Sequence, residues 1–423
     1  MRYEAPLLQE VLVQQTLESG LVVTVIPRPG FKKAYATFTT HYGSIDNHFQ
    51  PPGEEPVTVP DGIAHFLEHK MFEKPEGGDV FDDFAALGAS ANAYTDYTTT
   101  TYLFATTQHF YEALTILLDF VQRPYFTPEN VEKEKGIIEQ EIRMYLDMPQ
   151  DRLHSHLMRA LYQRHPARID IAGTVESIRT ITPEALYRCY GTFYHPSNMM
   201  LLVIGDVDPE AVVEAVRANQ AAKGYVRQGA IARWFPEEPE AVAAPRVEHR
   251  MAVARPLLLV GYKDRPDRPG WPPLTREVAA GLALGMLVGP SSALYERLYR
   301  EGLINDRFAA RYSHEATFAF AALGGETPDP DRLEAILVEE LPRAPLTAAD
   351  LERIKRKELG GYVALFQNPE ELAYWVNHLY FRGIDCFRYP DVLQAVTLEQ
   401  VEAVRRELLD PAHCAVSVIR PLA

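Results

Sequence analysis

The chain has 423 residues, too long for one ordinary core, so two or more domains are expected. Its composition is globular, 47% hydrophobic and 24% charged, and a formal net charge of −16 argues against a nucleic-acid surface. Three distant cysteines (Cys189, Cys386, Cys414) point to neither a disulfide scaffold nor a thiolate zinc site. No apolar run nears the ~18 residues of a membrane helix, and no signal-peptide core opens the chain, so a cytoplasmic protein is expected.

Strands are expected near residues 10–17, 21–27 and 34–42, joined by short connections as in an antiparallel sheet. Next comes "GIAHFLEHKMFEK" (62–74), which sets His65, Glu68 and His69 among Ile63, Phe66, Leu67, Met71 and Phe72. On a helix, at about 100° per residue, His65 and His69 lie one turn apart with Glu68 on the same side. Three groups able to bind or activate a metal would then point one way from a rigid element. The acidic "EGGDVFDDF" (76–84) reads as a solvated loop and helix start, and a hairpin follows at 89–96 and 101–107.

A long helix is predicted over 127–146. Val131, Ile138, Ile142 and Tyr145 mark its apolar face by their spacing. Glu134 and Glu141 fall on the edge of that face, whereas Glu132, Glu139, Gln140 and Arg143 mostly turn away. Two histidines cannot hold a catalytic zinc alone, because such sites use three protein ligands and one open position. A carboxylate beside a buried face needs a partner or a function, which makes Glu141 a better third ligand than Glu139. A final strand of this half lies near 198–205.

The chain then repeats itself. "ITPEALYRCYGTFYHPSNMMLLVIGD" (181–206) aligns without gaps to "VTLEQVEAVRRELLDPAHCAVSVIRP" (396–421), and "FTPENVEKEKGIIEQEIRMYLDMP" (126–149) runs beside "LTAADLERIKRKELGGYVALFQNP" (346–369). Two matches in one order indicate an internal duplication. The expected fold is α+β, two similar domains, each a mainly antiparallel sheet packed with helices. A zinc-bearing catalytic domain over 1–217 and a metal-free one over 248–423 flank a linker at 218–247.

His65-x-x-Glu68-His69, followed 72 residues after His69 by Glu141 in "EKGIIEQEI", resembles the inverted zinc motif of the pitrilysin family, which includes insulin-degrading enzyme and the mitochondrial processing peptidase. "GSID" (43–46), "GASANAYTDYTTTTY" (88–102), "IAGTVESIRTITPEAL" (171–186) and "YHPSNMMLLVIGD" (194–206) are similar to family segments in the family's order. In length the chain resembles the small bacterial two-domain members. The resemblance implies one Zn²⁺ held by His65, His69 and Glu141. It makes Glu68 the general base toward the zinc-bound water, and implies a zinc endopeptidase acting on unfolded peptides in a closed chamber. Glu134 matches the family's second glutamate, with a catalytic or supporting role. Asn92 and Ala93 match its substrate-binding Asn-Ala on an edge strand.

In the second half Glu134 and Glu141 align with Ile354 and Gly361, and "VAAGLALGMLVG" (278–289) replaces the histidine helix, so that half is expected to be metal-free. Family members also carry an Arg and a Tyr seven residues apart that bind the substrate carbonyl. Here "LYERLYREGLIND" (294–306) aligns Tyr299 and Asn305 with those positions, one residue missing between them, with Arg297 and Arg300 nearby. The resemblance therefore implies a dimer, either a homodimer or a heterodimer with a metal-free homologue that supplies Arg and Tyr. The alternative is a non-catalytic or partner-dependent assembly subunit. No nucleic-acid or membrane partner is expected.

Overall fold

The strand Met199–Gly205 is buried along its whole length, so both faces of its sheet must be covered. In the computed structural model, which describes residues 2–5 and 10–422, this strand is central to a seven-stranded sheet. The order is Arg2–Ala5, Glu10–Thr16, Val22–Pro27, Met199–Gly205, Ala34–Thr40, Thr100–Thr106, Ser90–Thr95. Neighbours run antiparallel except Val22–Pro27 with Met199–Gly205. On one face Ala36, Phe38, Leu201 and Val203 join the core formed with the helices that follow. On the other, Pro369–Phe381 packs against Ala34–Thr40 and Met199–Gly205, with Asn377 Nδ2 donating to Thr37 Oγ1 at 3.1 Å.

A second sheet has the order Arg246–Met251, Cys414–Pro421, Leu257–Asp264, Ala319–Glu326, Ala309–His314. It repeats the last five strands of the first sheet, down to the single parallel pair at its start. The helices repeat as well: Pro128–Asp147 answers Ala348–Leu365, and Pro149–Leu161 answers Pro369–Phe381, each of 13 residues and opened by a proline. The fold is α+β and internally duplicated.

The compact units depart from the contiguous division at 217 and 248. One holds the residues up to Ile142 with Asp170–Trp234 and Leu365–Phe387; the other holds Arg143–Ile169, Phe235–Ala364 and Arg388 onward. The cause is an exchange of helices. Pro149–Leu161 covers the sheet of the second unit, where Gly261 leaves room for Leu157: a Cβ there would stand 2.7 Å from the leucine Cδ1. Pro369–Phe381, from the far end of the chain, covers the first.

The expected linker is also more ordered than its composition suggests. Its first residues finish the helix Pro209–Lys223, and Ala232–Arg233 pairs with His48–Gln50. Glu238 accepts the backbone N–H groups of Gln163, Arg164 and His165 at 2.7–2.8 Å and the Lys263 ammonium at 2.5 Å. The boundary falls between Trp234 and Phe235. Tyr145 is a second correction: it is 39% exposed, because the helix leaves the first core after Ile142.

The histidine helix, Ile63–Lys70, begins at Gly62, whose φ of 86° is left-handed. A Cβ at Gly62 would meet the Ala172 carbonyl oxygen at 2.4 Å, so both conformation and contact demand glycine. Gly62→Ala is expected to lower stability by about 1–3 kcal/mol, read as a lower urea midpoint with the slope unchanged.

Candidate active site

Ile63, Ala64, Phe66 and Leu67 of the histidine helix are buried in the first core. The 3.6-residue period then turns His65, Glu68 and His69 away from the bulk of that core, toward the glutamate helix Pro128–Asp147. That helix anchors itself in the same core through Val131, Ile138 and Ile142. Glu134 and Glu141, on the edge of its apolar face, thereby arrive at the histidines.

The Nε2 atoms of the two histidines both face Glu141. His65 Nε2 lies 3.7 Å from Glu141 Oε1, and His69 Nε2 lies 3.4 Å from Glu141 Oε2. One ligand atom from each of the three residues falls within 4.8 Å of the others. Among the described residues no other group of His, Cys, Asp and Glu converges in this way. Glu139, the rejected alternative, instead accepts a hydrogen bond from Arg179 at 3.0 Å.

Glu134 stands behind His69, its Oε1 3.1 Å from Nδ1. A proton held on Nδ1 by that carboxylate leaves Nε2 with its lone pair toward Glu141. Burial alone would lower His69. The hydrogen bond to Glu134 and the charges of Glu68, Glu134 and Glu141 outweigh it and hold the imidazole above its ordinary value. Burial drives His65 the other way, aided by the nearby His69, down to about 3, so that ring is neutral. Neutral imidazole is the form a metal accepts.

Glu68 is 7% exposed. Burial pushes its carboxyl up, while a 2.7 Å hydrogen bond from Thr95 Oγ1 and the charge of His69 pull it back. Thr95 ends the strand Ser90–Thr95, the outermost of its sheet, which also carries Asn92 and Ala93. Asn92 Oδ1 accepts the N–H of Ala93 at 2.9 Å. These two residues line a cleft of about 590 Å³ together with Glu68, His69, Glu134 and the ring of Phe72. Phe81 stacks on Phe72 at 4.4 Å, 42% exposed.

Three residues of the site escaped the sequence reading. Thr95 carried a signal, because it is two residues from Ala93 and so on the same face of the strand. Phe81 was taken as part of a solvated helix start, and Asp79 is indeed the cap there, accepting the Phe81 N–H at 2.8 Å. Lys70 was passed over entirely. It is 1% exposed, its ammonium on Glu73.

The geometry has counterparts in known proteins. A family model described as insulinase (peptidase family M16) matches residues 57–175, and one described as the M16 inactive domain matches 180–358. The uncharacterised zinc protease YmfH of Bacillus subtilis (strain 168) is 47% identical over 418 residues, covering 98% of this chain and 97% of that relative. The chain belongs to peptidase family M16. The crystal structure of an M16-like peptidase from Alicyclobacillus acidocaldarius has a TM-score of 0.92 at 40% identity, each chain covered to 100%. Pitrilysin shares the fold at a TM-score of 0.74 and 15% identity, the match spanning 99% of this chain and 46% of pitrilysin.

Within the M16 architecture the second unit differs at the expected places. Ile354 is 1% exposed where its counterpart Glu134 is polar. The helix Ala293–Arg300 leaves Tyr299 53% exposed and stacked on Tyr295, while Arg297 pairs with Glu340 at 2.7 Å and Arg300 with Glu296. Asn305 Oδ1 accepts the N–H of Arg307.

The neutral state of His65 has a measurable consequence. Unfolded, the ring takes a proton below about 6.5; folded, it resists until about 3. The unfolded state therefore binds more protons in that window, and stability falls as pH drops through it. In protein treated with a chelator His65→Leu should flatten the loss between pH 6.5 and 4 by on the order of 2 kcal/mol, measured by urea denaturation across that range.

Proposed function

We propose that this chain is a zinc-dependent endopeptidase that cleaves unfolded peptides. The observation that carries the reading is the convergence of His65, His69 and Glu141 within 4.8 Å, next to Glu68 and an open-edged strand. Two imidazole nitrogens and a carboxylate oxygen are a zinc donor set, and three protein ligands leave a position for substrate or water. The burial that keeps His65 neutral suits the same metal. Zinc, when bound, lowers the pKa of water and polarises the carbonyl to be attacked.

The remaining chemistry belongs to the chain. An extended peptide adds to the free edge of Ser90–Thr95 and takes its register from the backbone around Asn92 and Ala93. Phe72 and Phe81 offer a side chain of that peptide an apolar wall. Glu68, raised by its burial, accepts the proton of the attacking water and returns it to the leaving amine. Thr95 holds that carboxylate in place through Oε2, leaving the other oxygen for the proton. Glu134 keeps the His69 ring in the tautomer that presents Nε2.

Full-length protein should bind about one zinc, and Ala at His65, His69 or Glu141 should abolish both binding and hydrolysis. Glu68→Gln should keep the zinc and lose several orders of magnitude in peptide cleavage, since an amide cannot take the proton. Metal content by mass spectrometry and cleavage of a mixed peptide library test both statements. Near wild-type cleavage by Glu68→Gln removes Glu68 from the role of base.

One observation favours a partner. The segment 294–306 offers no Arg and Tyr seven apart, and Arg297 and Arg300 are engaged by Glu340 and Glu296. We therefore read the chain as a dimer subunit that works best with a metal-free homologue supplying that pair. Adding such a homologue should raise kcat/KM by tenfold or more. Strong activity of the chain alone, unchanged by any homologue and by Ala at Tyr299 and Arg300, would falsify the partnership.

A further inference from the structure

Lys70 follows His69 directly, yet its side chain is wholly buried. Its Nζ donates to Glu73 Oε2 and stands 3.8 Å from Glu134 Oε2. The other oxygen of Glu134 is the one 3.1 Å from His69 Nδ1. Glu73, Lys70, Glu134 and His69 thus form one continuous polar chain, with an anion on each side of the ammonium. Glu73 is itself fixed, bridged through its backbone to Asp79 in the wall of the cleft.

A buried ammonium is a costly filler where an aliphatic side chain could pack, so its retention asks for a reason. Orientation supplies one. The terminal torsion of a glutamate is broad, and a carboxylate facing only the imidazole could swing about it. With Oε2 drawn toward a buried cation that Glu73 holds in place, Oε1 is left pointing at His69 Nδ1.

We propose that Lys70 is a positioning residue that acts through Glu134 on the His69 ring and presets its Nε2 for the metal. The proposal rests on the metal site proposed above. Two failures can be told apart, because zinc binding by the wild-type chain tests the site and the variants test Lys70.

The experiment measures zinc affinity of metal-stripped, full-length protein by competition with a chromophoric chelator, beside the melting temperature of the same metal-free samples. Lys70→Met should weaken zinc by roughly 10- to 100-fold, the effect of removing an outer partner of a metal-binding histidine. Lys70→Arg, which keeps the cation, should recover most of it. Glu134→Ala should show a similar loss, and Lys70→Met/Glu134→Ala no more than Glu134→Ala alone, since both act along one path. Wild-type zinc affinity in Lys70→Met, even with a lowered melting temperature, reduces Lys70 to a structural role and overturns the proposal. Should that variant prove too unstable to purify, the double variant leaves no Glu134 carboxylate buried without its ammonium and carries the test. Zinc binding much weaker than in Glu134→Ala would then overturn the shared path.

Discussion

The site depends on one apolar core in which two helices are both anchored. Val131, Ile138 and Ile142 lock the glutamate helix into the core that Phe66 and Leu67 enter from the histidine helix. The polar arrangement follows from that shared anchoring. It sets Glu141 against both Nε2 atoms and Glu134 against the back of His69. It also sets the titration of the pair. His65 and His69 are one turn apart in similar burial, yet one is pushed down and the other held up. The difference is the hydrogen bond to Glu134 at Nδ1 and the charges of Glu68, Glu134 and Glu141, which raise His69. Burial lowers both rings, and the carboxylates around His69 reverse the outcome at that position alone.

Much of this was legible in the chain because helical period is a strong signal. The spacing of His65, Glu68 and His69 against Ile63, Phe66 and Leu67 separates a polar side from an apolar one. The edge position of Glu141 follows from the spacing of Val131, Ile138 and Ile142. The six strands expected in the first half lie within two residues of their bounds, while Arg2–Ala5, His48–Gln50 and Val57–Thr58 went unread. What could not be read was tertiary. Tyr145 keeps the helical spacing of a core residue, but the core ends before it. Lys70 at a helix C-terminus reads as an ordinary complement to the helix dipole, and nothing local says that a glutamate 64 residues away will bury it. Glu238 looked like one more charge in a polar linker. Its worth lies in three backbone N–H groups that composition does not reveal.

Duplication followed by divergence explains the asymmetry of the halves. The two sheets keep the same five-strand order and the same parallel pair, because those are fixed by backbone pairing and apolar burial. The positions of the His-His-Glu cluster are free to drift once one copy suffices. Where Glu134 meets a histidine and a lysine, Ile354 sits in an apolar core with nothing to bind. A buried isoleucine needs no partner, whereas a buried glutamate does, so the second copy has settled into the simpler solution.

The exchanged helices also govern how the chain can be made. Ribosomal synthesis delivers Met199–Gly205 long before Pro369–Phe381, the helix that shields its outer face. During that interval Met200, Leu202 and Ile204 have no cover of their own, while Pro149–Leu161 waits for strands not yet translated. Neither half of the sequence carries every helix of its own unit, and a chain cut at the boundary near Trp234 would yield two fragments that each lack a wall. Closure of the first sheet is a late, long-range event, and such events are slow because loop entropy is lost before any contact is gained. The arrangement makes the half that carries the histidine cluster a product of the whole polypeptide, completed only when its last third has emerged.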